Sequence, residues 1–268
     1  MLGVCVLWTY AWMDWYIHYF HHKPVLHVSL TEGMIPAVLF KTGACEQQHL
    51  PSTILELYRK IESDNPGYRV VYFSDARARH FMVENCPAYL NAYDTLVPAA
   101  YKADLFRLCV LYIHGGVYGD FSQQYLVKLD TLVDRHRNEL VLTLDGAMPS
   151  YPDPYKYRGI NNSFMASRPK NTFLAYCMDR IVHHVKIKYY GMTPLCPTGP
   201  GLLRRILDEH PETPYRMDIS MFGSNGIYNL GTHQKVIIHK LKGHYKQMKR
   251  QRKQPKYSHL WFTRKIYN

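Results

Sequence analysis

No Asp or Glu follows Asp218, although 50 residues remain in the 268-residue chain. Eleven Lys and Arg lie in that stretch, and the net charge of the whole chain is +12, so the rest of the chain is close to neutral. A basic C-terminal segment therefore follows a near-neutral body. No Cys-x-x-Cys spacing occurs among the six cysteines (Cys5, Cys45, Cys86, Cys109, Cys177 and Cys196), which removes the common zinc and dithiol patterns. An even count does not by itself argue for disulfides, so the redox compartment stays open. Internal repeats are absent, which excludes solenoids and propellers. No nucleic-acid fold signature accompanies the basic run, and nucleic acid is not an expected partner.

The N-terminal segment, residues 1–24, is apolar and aromatic over Met1–Phe20, with Trp8, Trp12 and Trp15 on one helical face. The length just suffices to span a bilayer, but Asp14 and His18 are costly in lipid. No positive charge precedes the segment and Lys23 follows it, the wrong flank for a signal peptide or type II anchor. Spanning, lying at an interface and packing on the domain remain open. So do a compartment of Golgi or ER type and the cytoplasmic face of a membrane.

What is abundant is information in Tyr101–Ser122. Ala103, Phe106, Val110 and Ile113 recur at helical spacing. Asp104 and Arg107 are three apart, so they project from one face. Gly115-Gly116 ends the helix, and Val117-Tyr118 reads as a short buried strand that delivers Asp120 and Ser122 to its end. Elsewhere, strands are expected at Ile35–Thr42, Tyr68–Asp75, Leu140–Leu144 and Ile160–Ser167. Helices are expected from Pro51 to about Ser63, over Ala76–Glu84, from near Thr131, over Thr172–Tyr190 and over Leu202–His210. Alternation of strands and helices implies βαβ crossovers. Pro149–Gly159 is long enough to be a lid over a site.

Lys102-Ala-Asp-Leu-Phe-Arg107, Leu111-Tyr112, Gly115-Gly-Val-Tyr118 and Asp120 together resemble the central block of glycosyltransferase family 32. Ile160-x-Asn-x-Phe-x-x-Ser167, Thr198-Gly-Pro200 and, more faintly, His239–Tyr245 extend the resemblance over about residues 35–245. The family pattern carries Asp-x-Asp where this chain has Asp120-x-Ser122.

The resemblance implies an α/β fold: a GT-A-like (Rossmann-like) single domain, with a mixed, mostly parallel central sheet. That domain would cover residues 25–245, followed by a basic tail over 246–268. It implies transfer of a hexose from a nucleotide sugar, GDP-mannose or a UDP-hexose, to a hydroxyl of a glycan, glycoprotein or glycolipid, with retention of configuration. Donor contacts would fall to Asp104, Arg107, Asp120, Ser122, Asn161, Asn162, Thr198, Gly199 and Lys242. Mn²⁺ or Mg²⁺ would sit on Asp120 and His239. Loss of the second acid leaves two forms of the chemistry, a metal held by fewer protein groups or basic residues in its place. No nucleophile is evident. Two other readings stand beside the enzyme: a non-catalytic relative that binds sugar nucleotide or glycan, and a basic protein binding membrane or nucleic-acid surfaces.

Overall fold

The computed structural model describes residues 33–146, 159–222, 226–239 and 255–268. The N-terminal aromatic segment, most of the expected lid, and Lys242 with the start of the basic tail lie outside the described residues.

The first half alternates strand and helix: β1 (Val38–Gly43), α1 (Ser52–Asp64), β2 (Arg69–Ser74), α2 (Asp75–Asn85), α3 (Pro87–Thr95), α4 (Ala99–His114) and β3 (Gly116–Gly119). There follow β4 (Gln124–Tyr125), α5 (Leu129–Leu132), β5 (Leu140–Asp145), β6 (Ile160–Ser167), α6 (Thr172–Lys186) and α7 (Pro200–Glu209). The last elements are β7 (Arg216–Phe222), β8 (Gly226–Asn229), β9 (Lys235–Ile238) and α8 (Tyr257–Phe262).

Among the described residues, nine strands form one sheet in the order β2-β1-β3-β6-β5-β7-β8-β9-β4. Pairings β1–β2, β1–β3 and β5–β7 are parallel, and the others are antiparallel. Followed across the sheet, these pairings set β6, β8 and β4 against the other six strands. This is a single α/β domain with a mixed sheet, as expected. One apolar core lies between the sheet and α2, α3, α4, α6, α7 and α8. The other lies between its opposite face and α1 and α5.

α4 is buried along most of its length, from Tyr101 through Leu111. Its end is fixed by glycine chemistry. Gly115 has φ 65° and Gly116 φ 97°, the left-handed region open to glycine. A Cβ at Gly116 would stand 2.8 Å from the Val38 carbonyl oxygen, so the bare backbone is what lets β3 lie against β1.

Several features differ from the sequence expectations, the unanticipated helix α3 among them. The α6 helix stops at Lys186 rather than Tyr190, because Lys188 turns to φ 52°. The hairpin strands β7, β8 and β9 were not anticipated. They are short and bordered by polar turns, so their apolar alternation is brief. The end of the expected basic tail also belongs to the domain. Leu260 and Ile266 are buried in the α4 core, the Val97 N–H donates to the Ile266 carbonyl at 2.9 Å, and Trp261 Nε1 donates to the Tyr190 carbonyl at 2.7 Å. The packing of Leu260, Trp261 and Ile266 outweighs the charge of their neighbours. Among the described residues, no helix is long and apolar enough to cross a membrane.

Candidate donor site

Burial and hydrogen bonding bring together residues up to 116 positions apart at the C-terminal ends of β1 and β3. Asp104 and Arg107 leave the inward face of α4 and pair at 3.2 Å. Each is almost fully buried, at 9% and 6% exposure. A charged pair taken out of water must have its remaining donors and acceptors met, and here they are. Asp104 accepts from Asn162 Nδ2 on Oδ1 at 2.9 Å and from the Thr198 hydroxyl on Oδ2 at 2.8 Å. Arg107 donates Nε to the Ala103 carbonyl at 3.2 Å, and NH1 to the Asn162 carbonyl and to Asp120 Oδ1, the latter at 3.4 Å. Its guanidinium also lies 4.5 Å from the Tyr118 ring centre. Burial pushes the Asp104 carboxyl above the usual range, against the pull of Arg107, Thr198 and Asn162.

Asp120 is the exposed member. Its backbone N–H donates to the Ser163 carbonyl at 2.9 Å, and its side chain is 35% exposed. Beneath it stands Lys41, fully buried on β1, whose Nζ donates to the Asp120 carbonyl at 3.0 Å and to the Tyr125 hydroxyl at 3.1 Å. Burial brings the Lys41 ammonium down to about 7, with Asp120 opposing. On the far side His239, at the end of β9, places Nε2 3.9 Å from Asp120 Oδ2. Its Nδ1 is 3.2 Å from Gln123 Nε2.

Of the expected site residues, Asp104, Arg107, Asp120, Asn162, Thr198 and His239 converge. Asn161 points to the other side of β6, as adjacent strand residues must. It donates to Asp145 Oδ1 at 3.1 Å and accepts from the Ser163 N–H at 3.0 Å. Ser122 is buried. The α7 N-terminus offers less to an anion than its Thr-Gly-Pro sequence suggests. Gly199 and Gly201 both give their N–H groups to the Leu195 carbonyl, and the Thr198 side chain is what enters the site. Lys41, Gln123 and Tyr125 were missed. A lysine inside an apolar strand was the available signal for Lys41. Nothing local marks Gln123, whose partners are 40 and 116 residues away.

The described residues do not by themselves build a metal centre of three protein ligands. Among the described residues no three His, Cys, Asp or Glu side chains converge on one point. Both Asp104 oxygens are engaged within the protein, and position 122 offers a buried hydroxyl in place of a carboxylate.

Two cavities flank the constellation. One of about 410 Å³ opens between α7, the α6–α7 connection and Asp145, lined by Tyr189, Met192, Leu195, Cys196 and Leu202. It is separated from Asp104 by the Thr198-Gly199 turn. The other, about 580 Å³, lies near Lys60, Asp64 and Val127 on the α1 side and holds no member of the constellation except Tyr125.

Residues 51–139 match the model of the glycosyltransferase sugar-binding region containing a DXD motif. The chain is similar to the mannosyl phosphorylinositol ceramide synthase SUR1 of Saccharomyces cerevisiae, 25% identical over 66% of this chain and 43% of that protein. It is similar to inositol phosphoceramide mannosyltransferase 2 of Schizosaccharomyces pombe, 25% identical over 63% of this chain and 45% of the relative. A third relative is the uncharacterized glycosyltransferase L373 of Acanthamoeba polyphaga mimivirus, 24% identical over 73% of each chain. The chain thus spans less than half the length of the two yeast relatives. Among solved structures it is similar to the PaToxG glycosyltransferase, at 16% identity and TM-score 0.44, over 66% of this chain and 71% of that one.

Proposed function

We propose that this chain, a transferase whose residues 51–139 form a DXD-type glycosyltransferase region, moves a hexose from a nucleotide sugar to an acceptor hydroxyl at Asp120. The convergence of Asp104, Arg107, Asp120, Asn162 and Thr198 carries the reading. Five residues from four separate elements spend their hydrogen bonds on aiming one carboxylate out of the ends of the parallel strands, where α/β sheets bind nucleotides.

Each group takes a role set by its exposure. Asp120 meets the donor, because its side chain alone among the three charged residues reaches solvent. Arg107 orients it, and Asp104, held by Asn162 and Thr198, keeps Arg107 in place. Both act as positioning residues rather than as direct contacts to the sugar. His239 faces Asp120, with Nε2 3.9 Å from Oδ2, on the side from which a diphosphate would approach. No step depends on a metal ion, and no side chain is assigned as a nucleophile. Retention of configuration is part of the proposal and rests on the family resemblance.

GDP-mannose is the first donor to test, since two of the relatives are named as mannosyl-transferring enzymes of ceramide lipids. The 410 Å³ cavity supports a glycolipid-type acceptor. The apolar part of its lining, Tyr189, Met192, Leu195 and Leu202, suits a lipid-borne alcohol, Arg205, Asp208 and Glu209 line the rest, and Asp145 stands at its edge with a carboxyl raised by burial. Membrane association through residues 1–24 belongs with that acceptor.

The test is release of nucleotide from a panel of GDP- and UDP-sugars by the wild type and Asp120→Ala. Release with one donor that disappears in the variant is expected. No release with any donor, acceptors included, would leave a protein that binds without turnover.

A further inference from the structure

We propose that His239 acts as an N–H donor to the leaving diphosphate through Nε2, and that Gln123 is the positioning residue that holds it in that tautomer. The inference rests on the glycosyltransferase reading for the diphosphate. The tautomer follows from the hydrogen bonds alone.

The chain of assignment starts at backbone atoms, whose roles are fixed. The Ser163 N–H can only donate, so the Asn161 side-chain atom 3.0 Å from it is the carbonyl oxygen. The Ser163 hydroxyl, 2.5 Å from the same oxygen, must therefore spend its proton there. It is left to accept from Gln123 Nε2 at 3.2 Å. The Ser163 carbonyl, which can only accept, also takes Gln123 Nε2 at 3.0 Å. These contacts fix the Gln123 amide, an orientation that density of atoms alone would not decide. The other end agrees: Gln123 Oε1 is 3.4 Å from the Tyr125 hydroxyl, whose own oxygen already accepts from Lys41.

With the amide fixed, the second Nε2 hydrogen of Gln123 meets His239 Nδ1 at 3.2 Å. That ring nitrogen is the acceptor. In a neutral imidazole the proton then resides on Nε2, the atom 3.9 Å from Asp120 Oδ2. A histidine that ligates a metal does the opposite. It gives its remote N–H to a carboxylate or carbonyl and keeps a bare nitrogen for the ion. Gln123 supplies a donor where that arrangement needs an acceptor. His239 is thus preset to hold a phosphate oxygen by N–H, the role a cation would otherwise fill at a leaving diphosphate. The site's neighbours are compatible with this polarity. Arg107 brings a buried cationic side chain to within hydrogen-bonding distance of the Asp120 carboxylate, and Lys41 Nζ donates to the Asp120 backbone carbonyl.

The decisive measurement is the long-range ¹H–¹⁵N spectrum of protein labelled in its histidine rings. The His239 signals are identified by their loss in His239→Gln. A bare Nδ1 and a protonated Nε2 are expected, and the reverse pattern overturns the inference whatever the activity. In Gln123→Glu a carboxylate would accept from Nδ1–H, so the spectrum should reverse and kcat for nucleotide release should fall about 100-fold. If that variant does not fold, His239→Ala replaces it. Its kcat should fall by a similar factor, with the Mn²⁺ dependence of the rate unchanged from wild type. A rate restored by excess Mn²⁺ would instead identify a metal ligand and overturn the proposal. Absence of nucleotide release by the wild type would remove the glycosyltransferase reading, and with it the role of His239 in leaving-group departure.

Discussion

The α4–β3 block and the β8–β9 edge both end beside Asp120, and they reach it by opposite means. Asp104, Arg107 and Asp120 lie within 17 residues of one another, on a buried helix and the strand that follows its glycine turn. His239 arrives from the far end of the chain, on a strand placed by antiparallel pairing with β8 and β4. The first region supplies charges and buries them with nearly every polar atom engaged. The second supplies Gln123 and His239, joined by a side-chain hydrogen bond. The contrast locates stability in the α4–β3 block and fine adjustment of hydrogen bonding at the edge.

Breaking the first region should cost most. Arg107→Met leaves the Asp104 carboxylate buried without its ion pair, and loss of one partner of such a pair costs about 3–5 kcal/mol. Chemical denaturation should show a midpoint shifted by that amount, and an unshifted midpoint would mean that Asp104 takes up a proton instead. Next comes the docked C-terminus. Leu260→Ala empties a position packed into the α4 core and should cost about 2–4 kcal/mol in the same assay. A loss below about 0.5 kcal/mol would show that α8 contributes little to the fold.

Lys41 sharpens the comparison through pH. Its ammonium is about 7 in the folded protein against an ordinary value of 10.5. Between those values the unfolded chain holds more protons than the folded one, so stability rises with pH, by up to about 1.4 kcal/mol per unit. The stability difference between wild type and Lys41→Met should therefore change in favour of wild type from pH 7 to pH 10. A flat difference would mean that Lys41 stays charged when buried. The smallest effect belongs to the surface. Arg79→Ala removes an exposed pair with Asp94 at 2.7 Å and should cost less than about 1 kcal/mol.

The legibility of the two regions in the sequence differs for the same reason. Helical spacing put Asp104 and Arg107 on one face, and Gly115-Gly116 announced the turn, because these are short-range constraints of backbone geometry. Asn162 and Thr198 were named from a resemblance, yet their joint hold on Asp104 was invisible, as was the separation of Asn161 from Asn162 across β6. Gln123 carried no signal at all.

The sequence by itself determined the α/β alternation, the helix that carries the acid and the arginine, the glycine turn and the strand that ends at Asp120. These follow from periods of 3.6 and 2 residues and from left-handed glycine, all decided within a few positions. Only the tertiary structure decided that Lys41 stands under Asp120, that Leu260 and Ile266 close the core, and which nitrogen of His239 carries the proton. Each of these is settled by burial or by hydrogen bonds between residues 40 to 170 positions apart, and such pairings leave no local trace.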